Sequence, residues 1–166
     1  MARAPANPNE TTLNNFISAM HQQPRIPNGL NSVMATFARK ATVGITNYGP
    51  QFAGFAEIQK LFRQLFFAFP DLHFAEQPSN ERLFSTDKTM IATQVILAGS
   101  HQGVWFAKGT PYYSPPLSNI VPDASRMMNL DACAVFTFDD AHKIIQLAIY
   151  FDRYLMAQQL APVSGA

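Results

Sequence analysis

The sequence predicts a single α+β domain in which a curved, mostly antiparallel sheet wraps over a long helix. Three observations support this prediction: apolar residues recur at intervals of three and four up to Pro70, the period changes to two after it, and only 14% of the 166 residues are charged while 48% are apolar. A chain of this length suits one compact domain. We expect residues 11–160 to form it, with tails at 1–10 and 161–166.

The predicted helices come first along the chain. The stretch NETTLNNFISAMHQQ has one apolar face and can be capped by Asn9 or Thr11. The residues of that face are Leu13, Phe16, Ile17 and Met20. The stretch LNSVMATFARKATVGIT is ambiguous, because its first half fits a short helix and its second half an extended strand. The clearest helix is FAEIQKLFRQLFFAF, and it ends before Pro70, which cannot continue a helical hydrogen-bond ladder.

Alternation of apolar and polar residues after the long helix predicts the strands. We expect them at about 72–77, 81–86, 89–100, 101–108, 129–138 and 143–152. The stretch FDDAHK predicts a hairpin turn between the last two. Residues 108–128 are rich in proline and predict a long loop, whose role as a lid stays open. A short helix at 153–160 closes the predicted fold.

Composition excludes several classes of function. Twelve basic against eleven acidic residues leave a net charge of +1, which argues against a nucleic-acid or anionic-membrane surface. The single Cys133 excludes an internal disulfide, and we expect it to be a small core residue. The four histidines lack metal-site spacing, so neither a metal nor another cofactor is expected. The N-terminus lacks the apolar core of a secretion signal, which predicts a cytoplasmic protein.

Three stretches, in order, resemble the SnoaL-like polyketide cyclases of the nuclear-transport-factor-2-like (NTF2-like) superfamily. They are NYGPQFAGFAEIQKLFRQLFFAFPDLHF, ILAGSHQGVW and HKIIQLAIYFDRYLMAQQL. The resemblance implies a cone-shaped barrel, in which a strongly bent sheet packed on N-terminal helices encloses an apolar pocket. It also implies a homodimer and an apolar small-molecule substrate. Because the superfamily contains enzymes and binding domains, the fold does not fix the function.

Asp152 is the first candidate for catalysis. It ends an apolar run and shares a strand face with Tyr150, so in a barrel it could lie at the end of the pocket. Burial there would raise its pKa and make it a stronger base. The alternative is that Asp152 caps the final helix by accepting backbone N–H bonds, which requires no chemistry. The residues alone favour the cap, and with the resemblance the two interpretations are equally open.

His101 is the second candidate, as a hydrogen-bond donor to a substrate oxygen or as a partner of Asp152. Its predicted strand face includes Gly103 and Trp105, the latter a candidate substrate contact, although a histidine hydrogen-bonded within the sheet is the alternative. Tyr48 and Tyr150 are further candidates for substrate binding. Asp71 and His73 follow the stop of the long helix, where a turn or cap is the simpler interpretation; no chemistry is assigned to them.

The sequence therefore predicts a small, cofactor-independent enzyme that cyclises or isomerises an apolar, oxygenated small molecule of polyketide-like or steroid-like kind. The chain departs from the cyclase pattern at Gln146, Leu147 and Ala148, where many members have Glu, His and Trp. This departure keeps an alternative open, a non-catalytic domain that binds a small molecule or a partner protein.

Overall fold

The computed structural model describes residues 7–22, 29–45, 51–78, 81–104 and 120–161. No helix in these ranges is both long enough and apolar enough to cross a bilayer. The helices are α1 (Pro8–Gln22), α2 (Gly29–Met34), α3 (Phe55–Ala68) and α4 (Arg153–Leu160). The strands are β1 (Phe37–Ile45), β2 (Gln51–Ala53), β3 (His73–Glu76), β4 (Leu83–Phe84), β5 (Met90–His101), β6 (Asp123–Phe138) and β7 (Ile144–Phe151).

The strands form one curved, mostly antiparallel sheet, as the sequence predicted. Its order is β2-β1-β7-β6-β5-β3, with β4 paired to β5 beside β3. The pairing of β1 with β7 is parallel, while the other pairings are antiparallel. Across the described residues the sheet does not close on itself, and α1 and α3 cover its concave face. The predicted α+β class with a strongly bent sheet is confirmed.

Alternation along β6 separates the two faces of the sheet. Its concave side chains are buried and apolar, namely those of Met128, Leu130, Ala132, Ala134, Phe136 and Phe138. The residues between them point to the convex side, where Asp131 and Cys133 are exposed. Our expectation that Cys133 lies in the core is therefore wrong. Side chains one residue apart along a strand point to opposite faces, and Cys133 is on the face opposite to the core.

Several boundaries differ from those predicted. The amide of Asn9 binds the Asn7 side chain at 3.1 Å, so α1 starts at Pro8 with Asn7 rather than Asn9 or Thr11 at its cap. The ambiguous second stretch divides into α2 and β1, as its two halves suggested. β6 begins at Asp123 inside the predicted loop, since pairing with β5 extends it beyond the alternating segment. Residues 101–104 are the described part of the strand predicted at 101–108, and of these only His101 is in a strand.

An ion pair closes one side of the concave face. Arg82 donates from its Nε to Glu76 Oε1 at 2.8 Å and from a terminal nitrogen to Glu76 Oε2 at 2.7 Å. The buried hydroxyl of Thr93 donates to the same Oε1 at 2.6 Å, and Arg82 also binds Asn14 of α1. The hydrogen bond from Arg82 lowers the pKa of Glu76 below 4.5. The pair therefore fixes α1 to β3 and β5.

Replacing Arg82 by methionine is expected to lower the free energy of unfolding by about 2 kcal/mol. Fully buried pairs lose about 3–5 kcal/mol when one partner is removed, and this pair keeps some contact with water. The pKa of Glu76 is depressed in the folded state, so the stabilisation is present above pH 4.5 and is lost as the pH falls through the folded value. Urea denaturation measures both effects.

The matched control is Arg63→Met, because Arg63 is exposed on α3. It should leave the free energy of unfolding unchanged within about 0.5 kcal/mol. Equal losses in the two variants would show that the bidentate pair contributes nothing specific.

Candidate functional site

His101 ends β5 on the concave face, and its side chain is fully buried. Its ring stacks on Phe69, the residue after α3, with the ring centroids 5.3 Å apart and an interplanar angle of 25°. The backbone amides of Gln102 and Gly103 both donate to the Ala68 carbonyl, at 2.8 and 3.2 Å. These contacts fix the end of α3 against the end of β5 and hold the imidazole between them.

A β-bulge puts two charged residues near His101. The regular β5–β6 register ends at Ser100, and His101 then pairs with Asp123 at the start of β6. Extra residues in one strand bend it and re-aim its side chains. Asp123 Oδ2 lies 3.0 Å from Arg126 Nε, and Arg126 also donates to the Leu160 carbonyl at the end of α4. The bulge therefore joins β6, α4 and the strand that ends in His101.

The surroundings of His101 favour its neutral form. Burial lowers the pKa of His101 below its ordinary value of 6.5, and the positive charge of Arg126 acts in the same direction. A hydrogen bond to the Gly103 backbone and the carboxylate of Asp123 act in the opposite direction without reversing the shift. A neutral imidazole can accept a proton, so at neutral pH His101 has the protonation state of a general base.

Asp71, which we expected to be structural, orients the strand that ends in His101. Its Oδ1 accepts the Ser100 amide at 2.8 Å, and its Oδ2 accepts the Ser100 hydroxyl. Gln102 donates to that hydroxyl oxygen at 3.1 Å. The Phe-Pro-Asp turn thus clamps β5 at Ser100, the residue before His101.

Asp152 is the N-cap of α4. Its Oδ1 accepts the amides of Tyr154 and Leu155 at 2.8 and 3.0 Å, and the residue is exposed. Buried Leu147 and Ile149 face the core, whereas Tyr150, on the strand face that includes Asp152, is 39% exposed.

The structure does not bring Asp152 and His101 together. Asp152 follows the residue paired with Ala132 in the middle of β6, while His101 pairs at the start of that strand. The capping contact and the exposure match the alternative interpretation of Asp152, and its role as a base stays a prediction. Of the other candidates, Tyr150 lies on the convex side of β7, and Trp105 and Tyr48 lie outside the described residues.

Sequence reasoning missed Asp123 and Arg126 because their segment was interpreted as loop. The alternation of Met128, Leu130 and Ala132 was a signal that the strand began earlier. Within the described ranges, no three His, Cys, Asp or Glu side chains converge on a point that could hold a metal ion.

The chain is similar to known proteins in its fold. No family model matches the sequence, and no curated protein matches it. A protein of Jannaschia sp. CCS1 classed as a SnoaL-like polyketide cyclase superposes with a TM-score of 0.74 at 13% identity, covering 98% of each chain.

Two further solved structures have the same architecture. One, from Xanthomonas campestris pv. campestris and classed as a polyketide cyclase, gives a TM-score of 0.71 at 12% identity over 93% of this chain and 97% of that one. The other, from Catenulispora acidiphila DSM 44928, has a ketosteroid isomerase-like fold and was solved in complex with trimethylamine. It superposes with a TM-score of 0.60 at 12% identity, covering 87% of this chain and 91% of that one. The chain therefore has the NTF2-like fold in the form found in SnoaL-like polyketide cyclases.

Proposed function

We propose that the chain is a cofactor-independent enzyme that moves a proton next to a carbonyl group of an apolar small molecule, and so isomerises or cyclises it. The observation that supports this proposal most is the burial of the His101 imidazole on the concave face of the sheet, at the end of β5, where its pKa is lowered. Such perturbed groups concentrate at functional sites. The fold shared with proteins classed as polyketide cyclases supports a polyketide-like or steroid-like substrate.

In the proposed reaction His101 takes a proton from the carbon next to the carbonyl. The C–H electron pair moves into the carbon framework, and the carbonyl oxygen becomes an enolate oxyanion. In isomerisation the imidazolium returns the proton to another carbon. In ring closure the enolate carbon attacks a second carbonyl, whose oxygen takes the proton. The low dielectric around Phe69 strengthens each electrostatic interaction with the oxyanion.

The other predicted residues have defined roles in this proposal. Tyr48 donates a hydrogen bond to the oxyanion and Trp105 contacts the substrate. Tyr150, on the convex side of β7, is not part of a substrate site at His101. Asp152, the base that the sequence predicts, is the alternative to His101 as the group that takes the proton. Because His101 is fully buried, substrate reaches it only when the surrounding groups move apart. The homodimer and the cytoplasmic location stay predictions.

The experiment follows exchange of hydrogen for deuterium beside the carbonyl of 2-tetralone, an apolar bicyclic ketone, by NMR in D₂O. His101→Gln is expected to slow exchange by about 10²–10⁴-fold, the usual contribution of a general base. The control His142→Gln removes an exposed histidine in the β6–β7 turn and should leave the rate unchanged. Asp152→Asn keeps a capping side chain, so a loss of exchange in that variant would assign the base to Asp152 instead.

Binding is measured separately with 2-naphthol, a planar analogue of the tetralone enol. We expect His101→Gln to retain most of this binding while losing exchange. Binding without catalysed exchange in the unaltered protein would contradict the enzyme proposal and favour the binding-domain alternative. Exchange that persists in His101→Gln would exclude His101 as the base.

A further inference from the structure

A cation lies on the concave face of the sheet, near His101. Arg126 follows the same alternation along β6 as buried Met128, whereas Met127 between them is 61% exposed on the other face. The concave side chains of β6 that follow Arg126 are all buried and apolar, so a guanidinium at the start of this row is an exception. The acid–base reaction proposed above gives it no role.

The contacts of Arg126 leave part of its guanidinium available to a ligand. Its Nε lies 3.0 Å from Asp123 Oδ2, and its Nη1 donates to the Leu160 carbonyl at 3.0 Å. Among the residues that the structure describes, the second terminal nitrogen, Nη2, has no hydrogen-bond partner, although it carries two N–H donors. The Arg126 side chain is 21% exposed and so can be reached from solvent.

The start of β6 holds Arg126 next to His101. His101 pairs with Asp123 at the β-bulge, and Asp123 in turn contacts Arg126. Burial chiefly lowers the pKa of His101, and the positive charge of Arg126 lowers it further, so the guanidinium acts on the imidazole. Phe69 stacks on the His101 ring, and Leu160 at the end of α4 is fully buried. A molecule that reaches His101 therefore meets a cation in largely apolar surroundings.

We propose that Arg126 binds a carboxylate of the substrate, which makes the substrate a keto acid with an apolar framework. The donors of a guanidinium form a fixed fork that matches a carboxylate. One cation, partly neutralised by Asp123, suits a single negative charge better than a phosphate group with nearly two. This proposal rests on the function proposed above for the reacting carbonyl, whereas binding of the carboxylate can be measured without turnover.

The test measures the binding of 6-hydroxy-2-naphthoate and of its methyl ester to the full chain by isothermal titration calorimetry. The two compounds share a flat apolar framework and differ in the negative charge at pH 7. We expect the carboxylate to bind about 10–100-fold more tightly than the ester, the usual contribution of a hydrogen bond to a charged group. Equal affinity of the two compounds, including no binding of either, would overturn the proposal.

Three variants show whether Arg126 causes the preference for the carboxylate. Arg126→Gln should abolish it, and Arg126→Lys, which keeps the charge without the fork, should retain part of it. The control Arg63→Gln removes the same charge from an exposed position on α3 and should leave the preference unchanged. A preference that survives in Arg126→Gln would overturn the proposal.

Asp123→Asn tests the same site in the opposite direction. Because this change removes the carboxylate that partly neutralises Arg126, the preference for 6-hydroxy-2-naphthoate should increase. Thermal unfolding shows whether Arg126→Gln folds. If it does not fold, a preference that fails to increase in Asp123→Asn overturns the proposal.

The tetralone assay separates the carboxylate site from the proposed reaction. A preference that Arg126→Gln abolishes, in a protein that catalyses no exchange, would support the carboxylate site and contradict the enzyme. Exchange that depends on His101, without any preference for the carboxylate, would support the enzyme and overturn the role of Arg126.

Discussion

Replacing Phe16 by alanine is expected to lower the free energy of unfolding by about 3–5 kcal/mol, the usual cost of removing a buried phenylalanine ring. Phe16 is fully buried on α1 and is the hub of the aromatic core. Its ring meets Phe37, Phe62, Phe74 and Phe136 edge to face, at centroid distances of 5.8, 6.1, 5.6 and 5.4 Å. The cavity left by the deletion would thus border one further helix and three strands.

Denaturation with urea measures this loss, with Tyr154→Ala as the control because 69% of the Tyr154 side chain is exposed. The control should change the free energy of unfolding by less than about 0.5 kcal/mol. A domain of this size is stable by about 5–15 kcal/mol, so Phe16→Ala should remove a large fraction of its stability. A loss below about 1 kcal/mol would contradict the packing described for α1.

Replacing Gly103 by alanine is expected to cost about 1–3 kcal/mol, because the added methyl group overpacks a rigid contact. A Cβ atom at this position would lie 2.4 Å from the Phe67 carbonyl oxygen and 2.7 Å from its Cδ1. The carbonyl belongs to the backbone of α3 and cannot rotate away. The helix end must therefore separate from the end of β5, where it holds His101.

The matched control is Gly44→Ala in β1, where no atom lies within 4 Å of the added Cβ. It should be neutral or stabilising by up to about 1 kcal/mol, since alanine restricts the unfolded chain. In the tetralone assay Gly103→Ala should also slow exchange, whereas Gly44→Ala should not. Equal stability of the two variants would show that the contact between α3 and β5 is not tight.

Local patterns predicted much of the fold. The apolar face that includes Phe16, the stop at Pro70 and the turn at 139–143 all depend on residues close in sequence, and the structure has them where they were expected. The three family-like stretches predicted the superfamily architecture, which the solved structures confirm.

Local sequence patterns could not predict contacts between segments that are far apart in the sequence. The start of β6 depends on its register with β5. The Arg82–Glu76 pair depends on the return of the chain past β3. The contact between His21 and His73 depends on how α1 crosses the sheet edge.

The candidate site was predicted in part. Alternation put His101 on one strand face with Gly103, and both residues are buried at the end of α3. For Asp152 the sequence left a base and a helix cap equally open, because both require a carboxylate at the junction of strand and helix. The hydrogen bonds that Asp152 accepts from two backbone amides form only in the folded chain.

The most direct test of the central claim, that His101 is the base, is the pH profile of tetralone exchange. The rate should rise with pH to a plateau as the imidazole loses its proton, with a midpoint below 6.5 because burial lowers the pKa of His101. In His101→Gln that midpoint should disappear together with the catalysed rate. A profile whose midpoint is unchanged in His101→Gln would contradict the account, and a midpoint that disappears in Asp152→Asn would assign the base to that carboxylate.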